Sequence, residues 1–266
     1  MFTLPSCARV CKPKFVTRKA REQECCVSVT TLSLFRFDTP ASKIWVLGQM
    51  AVARLSFMMM RDVIFWKLCG SGQGEGFDLK PNFSVWAILA TWPDADTAFD
   101  RSQNAPVFRR WRRWARESWT VVLRPISARG TWAGQQPFSV ADLNTPAGAP
   151  IAALTRASVR PRLARRFWAK VPNISAVIGQ DPHVIFKIGI GEVPLLHQVT
   201  FSIWPDTQTM AAFARGNGAH GRAIEAVRSE GWFSEELYAR FCVLGDFGTW
   251  GGGQPLAQHH TNRTAA

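Results

Sequence analysis

The chain repeats itself, and that constrains its fold more than any other feature. Trp92-Pro93-Asp94 recurs as Trp204-Pro205-Asp206, each time after an apolar, strand-like run at residues 83–91 and 199–203. Gly130-Thr131-Trp132-Ala133-Gly134-Gln135-Gln136-Pro137 recurs as Gly248-Thr249-Trp250-Gly251-Gly252-Gly253-Gln254-Pro255. A weaker pair lies upstream: Trp66-Lys67-Leu68 with Gly70 and Gly72, against Phe186-Lys187-Ile188 with Gly189 and Gly191. The pairs keep their order and nearly constant separation, which is the mark of a duplicated unit.

Each copy reads the same way. A strand (29–37; 152–158) leads to a helix (42–60; 160–170), then to two strands (65–69 with 83–92; 184–190 with 196–204). A helix follows each Trp-Pro-Asp, with Pro93 and Pro205 expected to pre-set its first turn. A last strand (120–123; 239–244) closes the copy. This is β-α-β-β-α-β twice, the ferredoxin-like unit. The expected organisation is a basic disordered extension at 1–27, a first half at 28–133, a Gly/Pro/Asn-rich linker at 134–150, a second half at 151–253 and a disordered tail at 254–266. One such unit leaves a sheet face bare. Two in tandem can bring those faces together, giving an α+β fold of the dimeric-α+β-barrel type with helices outside.

Composition narrows the partners. The net charge is +13 over 266 residues, which points to nucleic acid, an anionic membrane surface or an acidic redox protein. Twelve Trp and eighteen Phe stand against one Tyr, a balance that suits an apolar cavity with few hydroxyl donors as well as an ordinary Trp-rich core. The spacing of Cys7, Cys11, Cys25, Cys26, Cys69 and Cys242 fits neither a zinc site nor a disulfide framework, so a reducing, cytosolic compartment is expected. No apolar run reaches the roughly 18 residues of a membrane span. The nearest, 44–60, is interrupted by Gln49 and Arg54.

Among the histidines, His259 and His260 lie in the polar tail and His183 follows Asp181-Pro182 in a turn. His220 shares the i, i+3, i+4, i+7 stripe of Ala223, Ile224 and Val227, so it is expected on the buried side of a helix. It is a candidate iron ligand or a hydrogen-bonded core histidine. In the first half its position falls on Pro106, which cannot bind metal, so the expectation is one ligand site per chain. His197 alternates with Leu195, Val199, Phe201 and Ile203; it is a rival ligand, a core histidine or a distal-pocket residue.

Arg109-Arg110-Trp111-Arg112-Arg113-Trp114-Ala115-Arg116 interleaves cations with indoles. It reads as a patch on anionic lipid, a dock for an acidic electron donor, a base-stacking surface or a solvated face whose Phe108, Trp111 and Ala115 pack on the sheet. Gly70-Ser71-Gly72-Gln73-Gly74-Glu75-Gly76 lacks the Lys-Ser/Thr ending of a phosphate loop and links two strands, so it reads as a hairpin.

Several stretches resemble the spheroidene monooxygenase family of purple phototrophic bacteria: Leu32-Ser33-Leu34-Phe35-Arg36-Phe37, Phe65-Trp66-Lys67-Leu68-Cys69-Gly70-Ser71-Gly72, Ile178-Gly179, and Gly231-Trp232-Phe233-Ser234-Glu235-Glu236-Leu237-Tyr238-Ala239-Arg240-Phe241. The resemblance covers about 29–252. It implies a haem-dependent monooxygenase with haem b, dioxygen as co-substrate and a ferredoxin-type donor, forming a keto group at C-2 of acyclic carotenoids. It also implies that the axial ligand is a histidine on the helix after the third strand of a half, which in the second half carries His220. Arg36, Lys67 and Lys187 are then candidate propionate partners. A peripheral location on the inner or photosynthetic membrane is expected. A non-catalytic haem- or carotenoid-binding protein is the alternative. Nucleic acid is not expected, since no aromatic-rich RNA-recognition strand is present.

Overall fold

The computed structural model describes residues 27–72, 81–140, 148–168, 182–215 and 231–257. Eight strands close an antiparallel barrel: β1 (Val29–Arg36), β2 (Phe65–Gly72), β3 (Pro81–Trp92), β4 (Glu117–Gly130), β5 (Ile151–Val159), β6 (Phe186–Gly191), β7 (His197–Trp204) and β8 (Phe233–Gly248). Their order around the barrel is β1-β3-β2-β6-β7-β5-β8-β4. Each half therefore contributes the 4-1-3-2 order of a ferredoxin-like sheet, and the sheets meet along β4–β8 and β2–β6. The duplication is a two-fold axis. Trp119 pairs with Gly248, and the equivalent Leu237 pairs with Gly130.

Ladder register corrects the weakest repeat by one residue. Phe65 lies opposite Thr91 and Phe186 opposite the equivalent Ile203, so Phe65 matches Phe186 and Gly70 matches Gly191. Gly70 and Gly191 also pair with each other across the β2–β6 seam.

The glycines of the longer repeat end β4 and β8 and are required there. Gly130 has φ +98° and Gly248 φ +90°, and an added Cβ would stand 2.1 Å from the Glu236 carbonyl oxygen and 2.2 Å from that of Ser118. Both conditions exclude a side chain. The Trp-Pro-Asp repeat works differently from the expectation. The prolines precede the helix, and the aspartates cap it. Asp94 Oδ1 accepts from Thr97 N at 2.7 Å and Asp206 Oδ1 from Thr209 N at 2.7 Å, satisfying an orphan N–H of the first turn.

Alternate residues fill the barrel: Leu32 and Leu34, Val85, Ala87 and Leu89, Leu154, Phe201, Leu237 and Phe241 are all buried in one cluster. Outside the first sheet pack α1 (Pro40–Met58), α2 (Ala95–Asn104) and α3 (Pro106–Trp114). Their layer is aromatic. Phe35 meets Trp111 edge-on at 5.2 Å, Phe57 stacks on Trp66 at 5.1 Å and meets Phe108 at 5.9 Å. Each fully buried Phe of this kind contributes about 1.5–3 kcal/mol. On the second half the described helical residues are a 3-10 turn, Pro161–Leu163, running into 164–168, and α4 (Thr207–Arg215).

Candidate functional site

The two sheets present different surfaces to their helices. On the first, Phe35 pairs across the ladder with Trp86, and Leu68 with Ile88; all four are buried. The two-fold equivalents on the second are Ala157 opposite Gln198 and Gly189 opposite Thr200. Large apolar side chains have become a methyl, an amide, a hydrogen and a hydroxyl-bearing stub. Gln198 and Thr200 are only partly buried. The second sheet thus carries smaller or more polar side chains at these helix-side positions, and Ala157 and Gly189 are themselves buried.

His220 and the stripe of Ala223, Ile224 and Val227 lie outside the described residues, as do His259 and His260. Pro106, the first-half match to His220, is the first residue of α3. His183 is exposed. His197 begins β7 in phase with Val199, Phe201 and Ile203, which point into the barrel. It therefore faces away from the second sheet's helix side. Of the candidate propionate partners, Arg36 and Lys67 also point into the barrel, where they pair with Glu117 at 3.3 Å and Glu192 at 2.9 Å. Lys187 alternates with inward-facing Phe186 and Ile188 and so lies on the helix side.

Sequence reasoning missed a polar cluster inside one barrel end. Glu192 accepts from Trp132 Nε1 at 2.7 Å, pairs with Lys67, and lies 3.7 Å from both Arg156 Nη2 and His197 Nδ1. Arg156, 2% exposed, pairs with Glu235 and lies over the Trp132 ring at 5.5 Å. Glu235 also accepts from Thr131 Oγ1 at 2.9 Å and from Gly134 N at 2.7 Å. Burial raises the Glu235 carboxyl, but these hydrogen bonds and that from Arg156 outweigh it and bring the group down to about 2. Burial holds His197 below its ordinary value against the pull of Glu192. Burial, reinforced by Glu192, pushes the Cys69 thiol up, so it is a packed, protonated group rather than a nucleophile. The cluster ties β2, β5, β6 and β8 together and closes the barrel end. The available signal was parity: Arg156 is charged in phase with inward Ala152 and Leu154.

The Arg-rich segment is α3. Val107, Phe108 and Trp111 are its buried side. Arg112 donates to the carbonyls of Ser102 at 2.7 Å and of Gln103, capping the C-terminal end of α2. Arg109, Arg113 and Trp114 are exposed.

Closed barrel and internal two-fold define a single-chain α+β-barrel protein built from two diverged ferredoxin-like halves. A solved aldoxime dehydratase shares that fold, with a TM-score of 0.55 at 12% identity over 83% of this chain and 80% of its own. No family model matches the chain. The chain is 52% identical to the spheroidene monooxygenase of Rhodobacter capsulatus across 90% of its own length and 99% of that protein's. It is 51% identical to that of Cereibacter sphaeroides across 89% and 73%, and 37% identical to that of Rubrivivax gelatinosus across 80% and 81%. The chain belongs to the spheroidene monooxygenase family, and hence to a family of oxygen-dependent oxidoreductases.

Proposed function

We propose that the protein is a haem-dependent monooxygenase that forms a keto group at C-2 of acyclic carotenoids, of the spheroidene-to-spheroidenone type. The observation that supports the reading, beyond family membership, is the replacement of four large apolar side chains by smaller or polar ones on the helix side of the second sheet. A flat macrocycle would lie over Ala157, Gly189 and Thr200, and His220 is the residue that would hold its iron. Lys187 is a cation on the same side that would suit a propionate. When bound, the haem would supply oxygen activation with dioxygen as co-substrate and electrons from a ferredoxin-type donor. Two successive hydroxylations at one carbon followed by loss of water leave a ketone.

The chain's own part is to exclude water and hold an apolar substrate. The Trp- and Phe-rich layers are suited to a polyene, and the chain has a single phenolic hydroxyl. Substrate would come from the bilayer, with the protein peripheral on the inner or photosynthetic membrane; no described helix is long and apolar enough to cross it.

The test is an absorption spectrum of haem-supplied protein, wild type beside His220→Ala, oxidised and then reduced under carbon monoxide, followed by turnover of spheroidene. We expect a Soret band with a carbon monoxide shift, lost or displaced in His220→Ala together with ketone formation. An unchanged band in the variant would assign another ligand. Haem binding without turnover would favour the carrier reading.

A further inference from the structure

We propose that α1 is the membrane-docking element, lying flat on an anionic bilayer with its outward face in the lipid and α3 beside it at headgroup depth. The proposal rests on the carotenoid reading above, since it supplies the route by which a bilayer-dissolved polyene reaches the chain.

The helix Pro40–Met58 is capped at its start by Thr39, whose hydroxyl accepts from Ser42 N at 3.2 Å. It is apolar on both sides. Ser42, Val46, Ala53 and Phe57 are buried against the first sheet. The opposite side shows solvent Ile44 (72% exposed), Leu47, Val52, Leu55 (62%), Met58 (74%) and Met59 (83%). With the small, exposed Gly48 and Ala51 between them, they recur at steps of three and four (44, 47/48, 51, 55, 58/59) and make one continuous stripe. A contiguous apolar face of this length is not left in water by a solitary soluble domain.

Charge selects the occupant. Neither α1 nor α3 contains an acidic residue. Lys43 and Arg54 flank the stripe along α1 itself. On the other flank α3 is held alongside by stacking of Trp45 on Trp114 at 5.0 Å and by Arg110 donating to Gln49 at 3.5 Å, and it exposes Arg109 and Arg113. The nearby acids are taken up: Asp38 pairs with Arg116 and Asp62 with Arg101. An apolar stripe between two cationic rims, with Trp114 44% exposed at one edge, complements an anionic lipid surface. A second copy would set the same cations against each other across a two-fold interface.

The experiment is co-sedimentation of the full chain with vesicles of phosphatidylcholine alone or mixed with phosphatidylglycerol, at rising salt, with light scattering of the protein in solution. Wild type should bind the phosphatidylglycerol vesicles and release as salt rises. Ile44→Glu with Leu55→Glu, both on exposed positions, should lower binding at least tenfold. Val140→Glu, on an exposed site elsewhere, should leave it unchanged. Arg109→Ala with Arg113→Ala should weaken it roughly tenfold and flatten the salt dependence. Binding unaffected by the α1 pair would overturn the proposal. So would a wild-type dimer that the same pair dissociates, which would make the face an interface between copies. Turnover of carotenoid dispersed in detergent separates the two readings. The α1 pair should retain it, and failure of wild type there would count against the carotenoid reading alone.

Discussion

The two halves share a backbone and differ in what their sheets show their helices. The first half spends its helix side on packing: Phe35, Trp86, Leu68 and Ile88 are buried under three helices. The second half, at the same ladder positions, carries Ala157, Gln198, Gly189 and Thr200. Both halves fill the barrel interior, but only the first keeps four large apolar side chains at these helix-side positions. The lesson is about where to look. In a tandem fold, the half that has lost large side chains against its twin is the first place to test for a ligand.

Removing a first-half side chain should hurt most. Phe35→Ala is expected to cost about 3–5 kcal/mol by denaturant unfolding, whereas Ala157→Gly at the equivalent position should cost about 1 kcal/mol or less. Equal losses would break the comparison. The barrel ends offer a similar contrast. Each has an Arg–Glu pair beside a Trp: Arg156, Glu235 and Trp132 at one end, Arg36, Glu117 and Trp250 at the other. Arg156 is 2% exposed and Arg36 35% on their side chains. Arg156→Met should therefore cost about 3 kcal/mol by removing the buried cation between Glu235 and Glu192, and Arg36→Met about 1 kcal/mol or less.

Acid should find the same end. Glu235 is lowered from 4.5 to about 2 in the folded chain. Its contribution to stability is fully present above about pH 4.5 and is lost as pH falls through about 2. His197, held below its ordinary 6.5, adds a contribution lost as pH falls from that value. Unfolding midpoints of wild type, Glu235→Gln and His197→Gln between pH 3 and pH 8 (a range chosen on the order of these values) should show a shallower acid slope in each variant. Where the two-fold is strict, the halves should respond alike. Gly130→Ala and Gly248→Ala should each destabilise by more than about 1 kcal/mol, and Asp94→Ala and Asp206→Ala by about 1 kcal/mol each.

Much of this architecture was legible in the sequence, because repeats and alternation are local patterns. The strands that were read short show where local patterns stop. β4 runs on past Leu123 to Gly130 through Pro125, which sits at a shift of register where the ladder does not need its N–H. β8 starts at Phe233 with a polar run, Ser234 to Glu236, that looks like a loop until its partner strand is known. The helix starts after Trp-Pro-Asp were legible, but the role belonged to aspartate, not proline. The barrel-end cluster was illegible because Lys67, Arg156, the β6–β7 connection with Glu192 and His197, and Glu235 lie in four separate places in the chain, and only closure of the barrel brings them together. The small-residue layer needed the register too: a one-residue error in aligning β2 with β6 hides that Gly189 replaces Leu68. The exposed stripe on α1 was written in its composition, yet a run interrupted by Gln49 and Arg54 reads only as a failed membrane span until one side of it is seen in solvent.

The measurement that tests the central claim most directly restores first-half side chains to the second half. Haem is titrated into wild type and into Ala157→Phe with Thr200→Ile, following the Soret band, with thermal unfolding of both as the check on folding. If the second sheet's helix side is the haem seat, wild type saturates at about one equivalent, as expected for a group held by one His, and the filled variant binds at least tenfold more weakly while still unfolding cooperatively. A well-folded variant that takes up haem as wild type does would contradict the account.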